Sequence, residues 1–138
     1  MVAKKVFLID DDYIFRTAAD ILIKVSEITD EIIPYENGLE AYDALIALKD
    51  KPEEFPELVL LDINMPVMNG WEFLEELKEN PSLINERTHI YILTSSIAPE
   101  DVILSKKYEF IKGYITKPLT KADLKKVHDT LISEYNKV

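Results

Sequence analysis

The chain has 138 residues, a formal net charge of −10 and no cysteine. These values fit one globular domain with a buried core. The excess of acidic over basic side chains, 26 against 16, argues against sequence-independent nucleic-acid binding, because such binding needs Lys and Arg to neutralise phosphates. Without cysteine there is no disulfide or thiolate metal site, and no apolar run has the length of a signal peptide or a membrane helix. We therefore expect one cytoplasmic domain over residues 1–138.

Short apolar runs alternate with amphipathic stretches along the chain, a pattern typical of βαβ units and a parallel sheet. Right-handed crossovers in such a sheet put helices on both faces. Strands are predicted at residues 6–9, 31–35, 58–61, 89–93 and 114–116. Helices are predicted at residues 13–26, from 37 through 48, from 69 to before Pro81, at 99–109 and from 120 onward.

Helix-capping patterns support these boundaries. Asn37, Asn69 and Thr120 are each followed three residues later by an acid, which is the spacing of a capping box. Asp12 precedes the first helix and is better explained as its N-cap than as a metal ligand.

Polar groups follow four of the predicted strands. Asp10 and Asp11 come directly after the first strand, and Asp62 follows the third. Thr94 follows the fourth strand and Lys117 the fifth. The carboxyl ends of parallel strands lie along one edge of the sheet, where ligands bind in open α/β folds. The sequence therefore predicts a single pocket that contains all five groups.

Three converging carboxylates need charge compensation. Two of them 4–5 Å apart repel by about 3–4 kcal/mol at an effective dielectric constant near 20, so either a proton or a cation must relieve the cluster. A site that offers oxygen atoms and no His or Cys favours Mg²⁺. A carboxylate beside Mg²⁺ can attack phosphorus and form an aspartyl phosphate, with Lys117 and Thr94 available to contact the phosphoryl oxygens.

These segments, taken together, resemble the receiver domain of two-component response regulators over essentially the whole chain. The resemblance lies in residues 7–12, 37–41, 60–66, 69–70, 92–95 and 113–118, in family order and at family spacing. It implies a five-stranded parallel sheet of order 2-1-3-4-5, the flavodoxin-like arrangement, with helices on both faces.

The resemblance also implies roles for single residues. Asp62 is similar to the phosphoacceptor, which receives its phosphoryl group from a phosphohistidine. Asp10 and Asp11 match the acid pair that binds Mg²⁺ together with Asp62, and Asn64 would contribute its backbone carbonyl.

The remaining matches concern the phosphoryl contacts and the conformational switch. Thr94 and Lys117 match the residues that contact the phosphoryl group. Tyr114 occupies the aromatic switch position coupled to Thr94, although an ordinary half-buried strand aromatic would fit the sequence as well. Asn64 and Ser96 occupy positions that shape the phosphoryl lifetime in this family.

The function implied is that of a stand-alone signalling switch, not an enzyme with turnover: the domain assists only its own phosphorylation and dephosphorylation. Expected partners are a sensor histidine kinase or phosphotransfer protein and a downstream protein. The output would come through protein contacts of the fourth helix, fifth strand and fifth helix, or through onward phosphotransfer in a phosphorelay. No direct contact with nucleic acid or membrane is expected.

Two other functions would use parts of the same sequence pattern. A phosphatase of the haloacid dehalogenase type would use Asp10 and Asp12, but it expects Thr or Val where this chain has Ile14. A pseudo-receiver would keep the fold without the chemistry, which the complete set of acids, threonine and lysine disfavours.

Overall fold

A computed structural model describes residues 2–135 of the chain. Its centre is a five-stranded parallel sheet in the order β2-β1-β3-β4-β5. The strands are β1 (Val6–Ile9), β2 (Ile32–Tyr35), β3 (Leu58–Asp62), β4 (His89–Thr94) and β5 (Ile111–Thr116). The predicted strand order and the parallel direction of the strands are confirmed.

The helices are α1 (Tyr13–Val25), α2 (Gly38–Ala47), α3 (Gly70–Glu79), α4 (Pro99–Ser105) and α5 (Lys121–Tyr135). Two short 3₁₀ turns, Pro52–Glu54 and Pro81–Leu83, occupy the two longest connections. No helix within residues 2–135 combines the length and the apolar character that crossing a bilayer requires.

The sheet separates two core layers. Phe7 and Ile9 of β1 belong to the layer that includes buried residues of α2 and α3, whereas Val6 and Leu8 belong to the layer beneath α1 and α5. All four side chains are fully buried, as expected of a central strand covered on both faces. Because successive side chains of β1 point to opposite faces of the sheet, this one strand contributes to both core layers.

The caps form as predicted at several helix starts. Asp12 Oδ1 accepts hydrogen bonds from the backbone N–H groups of Ile14 and Phe15, so Asp12 is the N-cap of α1. Asn37, Asn69 and Thr120 each accept a hydrogen bond from the backbone N–H three residues later. These bonds satisfy N–H groups that a helix start leaves without a partner.

The predicted boundary between α4 and β5 is wrong. The helix expected to reach residue 109 ends at Ser105, and the strand expected to begin at Tyr114 begins at Ile111. Tyr108 explains both differences, because its buried ring stacks on Trp71 and its hydroxyl donates a hydrogen bond of 2.8 Å to the Glu75 carboxylate. This packing turns the chain inward after Ser105, a tertiary effect that overrides local helix propensity.

Candidate functional site

Strand register brings the predicted site residues to one edge of the sheet. Ile9 pairs with Leu61 across β1 and β3, so the residues that follow them, Asp10 and Asp62, are neighbours. Asp62 in turn pairs with Leu93 of β4, one residue before Thr94.

The connection after β5 returns to the same edge. The backbone N–H of Lys117 donates a hydrogen bond of 2.8 Å to the carbonyl oxygen of Thr94. The peptide bond between Lys117 and Pro118 is cis. The hydrogen bond to Thr94 places Lys117 beside the strand ends that carry the acids.

We call the group formed by Asp10, Asp11, Asp62 and Lys117 the acid pocket. One carboxylate oxygen from each aspartate lies within 4.8 Å of the other two. Asp10 and Asp62 are buried, whereas Asp11 is exposed. Lys117 Nζ lies 2.6 Å from Asp10 Oδ2 and 3.6 Å from Asp62 Oδ1.

The pKa of the Asp62 carboxyl is raised from its ordinary 3.8 to about 6, mainly by burial and next by the nearby charge of Asp10. Lys117 and a hydrogen bond from the Asn64 backbone oppose this shift, while Asp11 adds to it. The pocket therefore carries more negative charge than its one ammonium group neutralises.

The residues fit a hard divalent cation. Asp10 Oδ2 is buried and has no well-aligned hydrogen-bond donor, although the Lys117 ammonium lies beside it. All three candidate ligands offer oxygen atoms, which Mg²⁺ prefers. Asn64 follows β3 and is exposed. A cation shared by the three carboxylates would relieve their repulsion.

Thr94 and Tyr114 are engaged in local contacts beside the acid pocket. The Thr94 hydroxyl donates to the carbonyl of Ser96 at 2.7 Å and accepts from the Ser96 N–H at 3.3 Å, which closes the turn after β4. Tyr114 is half-buried, and its hydroxyl donates to the carbonyl of Asp101 in α4 at 3.1 Å. Both side chains thus tie the β4–α4 segment to the sheet.

The loop after β3 depends on a close approach of Gly70. A Cβ atom at this position would lie 2.6 Å from the carbonyl oxygen of Asp62, and the Gly70 N–H donates to the carbonyl of Ile63 at 2.9 Å. No larger side chain fits there without moving the backbone of Asp62. The Asn-Gly pair in the sequence marks the helix start, but only the structure shows its contact with the pocket.

Two residues of α1 reach the acid pocket, although neither was predicted to belong to the site. Arg16 Nη1 donates to the carbonyl oxygen of Asp10 at 2.6 Å, and its Nη2 lies 4.0 Å from Glu36. The ring of Phe15 lies 4.5 Å from Lys117 Nζ. Helical spacing identifies a shared face but does not tell which pocket that face borders.

The structure argues against a haloacid dehalogenase site, because Asp12 does not lie with Asp10 in the carboxylate cluster of the described residues. Asp12 is committed to capping α1. The strand order instead matches the arrangement implied by the receiver resemblance.

Comparisons with known proteins identify the family of this chain. The sequence profile of the response regulator receiver domain matches residues 6–129. Response regulator Rcp1 of Synechocystis sp. is 35% identical over 127 residues, covering 90% of this chain and 83% of that protein. Chemotaxis protein CheY of Halobacterium salinarum is 36% identical over 121 residues, covering 87% of this chain and 89% of that protein. The crystal structure of a two-component response regulator from Cytophaga hutchinsonii superimposes with a TM-score of 0.85 at 28% identity, covering 94% of this chain and 97% of that one. This chain belongs to the response regulator receiver domain family, a family of signalling domains.

Proposed function

We propose that this domain is a phosphorylation-dependent switch and that Asp62 is its phosphoacceptor. The observation that carries the proposal is the placement of the Asp62 carboxylate, within 4.8 Å of oxygen atoms of Asp10 and Asp11 and 3.6 Å from the Lys117 ammonium. The donor is a phosphohistidine on a sensor histidine kinase or phosphotransfer protein. The family membership supports this donor class.

Phosphoryl transfer depends mainly on positioning and charge compensation. An Asp62 carboxylate oxygen attacks phosphorus, the P–N bond of the phosphohistidine breaks, and the imidazole leaves with the bonding electron pair. Mg²⁺, when held by Asp10, Asp11, Asp62 and the backbone carbonyl of Asn64, supplies positive charge next to the transferred group.

Lys117 and Thr94 act on the oxygens that the transfer adds. The Lys117 ammonium is already 3.6 Å from Asp62 Oδ1, so a short displacement from Asp10 would bring it to a phosphoryl oxygen. The Thr94 hydroxyl donates to the Ser96 carbonyl, and a phosphoryl oxygen would compete for that proton. Charged acceptors form stronger hydrogen bonds than neutral carbonyls.

The output follows from that competition. When the Thr94 hydroxyl no longer donates to the Ser96 carbonyl, the turn between β4 and α4 loses the hydrogen bond that closes it. The hydrogen bond from Tyr114 to Asp101 in α4 would then rearrange as well. The face formed by α4, β5 and α5 would then change its conformation and its affinity for a downstream protein. Phosphorylation shifts two pre-existing populations in this scheme.

We further propose that residues 1–138 act as one receiver domain, which the coverage of 83% and 89% of the two relatives supports. The domain assists its own phosphorylation and dephosphorylation and does not turn over a separate substrate. A cytoplasmic location stays a prediction.

Incubation with Mg²⁺ and acetyl phosphate, followed by intact-mass measurement, tests the proposal. Wild-type protein should gain one phosphoryl group that is lost at alkaline pH, and Asp62→Asn should gain none. Asp50→Asn removes an exposed acid outside the pocket and should behave like wild type. Full uptake by Asp62→Asn would assign the acceptor elsewhere, and no uptake by the wild type would favour a pseudo-receiver.

A further inference from the structure

Lys117 makes an aromatic contact besides its two ion pairs. Its Nζ lies 4.5 Å from the centroid of the Phe15 ring, within the range of a cation–π interaction. The Lys117 side chain is 19% exposed, and such contacts strengthen when water is excluded. The ammonium thus contacts the carboxylates of Asp10 and Asp62 and also the face of an aromatic ring.

Phe15 is itself fixed in place. Its backbone N–H donates to Asp12 Oδ1 at 3.2 Å in the first turn of α1. Its half-buried ring packs against the core layer that contains Ala19 and Leu124. The ring therefore has a position set by both the helix cap and the core.

An aromatic face holds a cation differently from a carboxylate. It attracts the charge without requiring an N–H group to point at a single acceptor atom, and an ammonium has three N–H donors to distribute. Lys117 can therefore stay over the pocket while its N–H groups exchange one oxygen for another. In the structure the ammonium lies closer to Asp10, at 2.6 Å, than to Asp62, at 3.6 Å.

We propose that Phe15 is a positioning residue that keeps the Lys117 ammonium within reach of the phosphoryl group on Asp62. The inference rests on the proposed role of Asp62. A leucine at position 15 would keep apolar bulk but remove the aromatic face, so Lys117 would spend more time on Asp10 or in solvent. We expect Phe15→Leu to slow phosphorylation by about three- to tenfold.

A double-mutant cycle on stability tests the contact without any phosphoryl chemistry. Phe15→Leu, Lys117→Gln and the double variant are unfolded by urea in the absence of Mg²⁺. The changes in unfolding free energy of the two single variants should not add up to that of the double variant. The mismatch should correspond to a factor of about three to ten in the unfolding equilibrium constant. Phe110→Leu, which alters another half-buried ring outside the pocket, should be additive with Lys117→Gln. Additivity of Phe15→Leu with Lys117→Gln would overturn the inference.

The rate of phosphoryl uptake from acetyl phosphate at saturating Mg²⁺ then tests the positioning role. Phe15→Leu should slow uptake when Lys117 is present and leave the rate of Lys117→Gln unchanged, whereas Phe15→Tyr should retain the wild-type rate. Equal slowing in both backgrounds, or none in either, would refute positioning through the aromatic face. A wild-type protein that takes up no phosphoryl group would refute the proposed function and this role together, while the stability cycle would still report the contact.

Discussion

Replacing Asp62 with asparagine should change how the stability of the metal-free protein depends on pH. Burial and the neighbouring charge of Asp10 raise the pKa of Asp62 from 3.8 to about 6 in the folded state. A carboxyl whose pKa is raised by folding binds its proton more tightly in the native state. The protonated Asp62 therefore adds to the free energy of unfolding, fully below about pH 4, and this stabilisation is lost as the pH rises through about 6.

The magnitude follows from the size of the shift. A difference of about two pKa units at about 1.4 kcal/mol per unit corresponds to about 3 kcal/mol of unfolding free energy. Between pH 4 and pH 7 in EDTA, the wild type should lose most of this amount, about 2 kcal/mol, relative to Asp62→Asn, which has no carboxyl to titrate. The comparison cancels the titration of shared groups that do not interact with Asp62.

Urea unfolding followed by circular dichroism at several pH values provides the measurement, with Asp50→Asn as the exposed control. Mg²⁺ at ten times its dissociation constant should then stabilise the wild type by about 1.4 kcal/mol and stabilise Asp62→Asn less. A free-energy difference between wild type and Asp62→Asn that stays constant from pH 4 to pH 7 would refute the reasoning. So would a difference that changes in the opposite direction.

Three further substitutions probe the loops around the pocket. Gly70→Ala places a methyl group 2.6 Å from the Asp62 carbonyl and should cost about 1–3 kcal/mol in urea unfolding and slow phosphoryl uptake; wild-type values in both assays would show that the loop adapts freely. Val67 has a φ of 67° and is 71% exposed, so Val67→Gly should stabilise the protein by about 0.5–1 kcal/mol in the same assay, because a β-branched residue is strained in this conformation; a loss of stability would contradict this. Tyr114→Phe removes the hydrogen bond to the Asp101 carbonyl and should cost about 1 kcal/mol and speed amide exchange in α4, whereas unchanged exchange would argue against a tie between β5 and α4.

Much of the pocket could be predicted because its groups occupy strand ends. Hydrophobic runs locate the ends of β1 and β3 to within a residue, and a parallel sheet puts such ends along one edge. Asp10 and Asp62 were therefore expected together, and the register pairs the residues that precede them, Ile9 and Leu61. The order of the strands came from the resemblance to a family and not from the pattern alone.

The end of α4 and the start of β5 could not be predicted from the local sequence pattern. The segment between them has helix-forming residues, and its local pattern predicts helix to residue 109. Packing of Tyr108 on Trp71 and its bond to Glu75, in a distant part of the sequence, decide the boundary instead. A local window contains no information about such a partner.

The sequence by itself determined the alternation of strands and helices, the caps and the chemical groups available at the sheet edge, because these depend on neighbouring residues and on periodicity. The tertiary structure alone decided which groups touch: Lys117 between Asp10, Asp62 and the ring of Phe15, and Gly70 against the backbone of Asp62. Electrostatic and packing energies depend on distances of a few ångströms between residues far apart in the chain. Such distances exist only once the sheet and its helices have assembled.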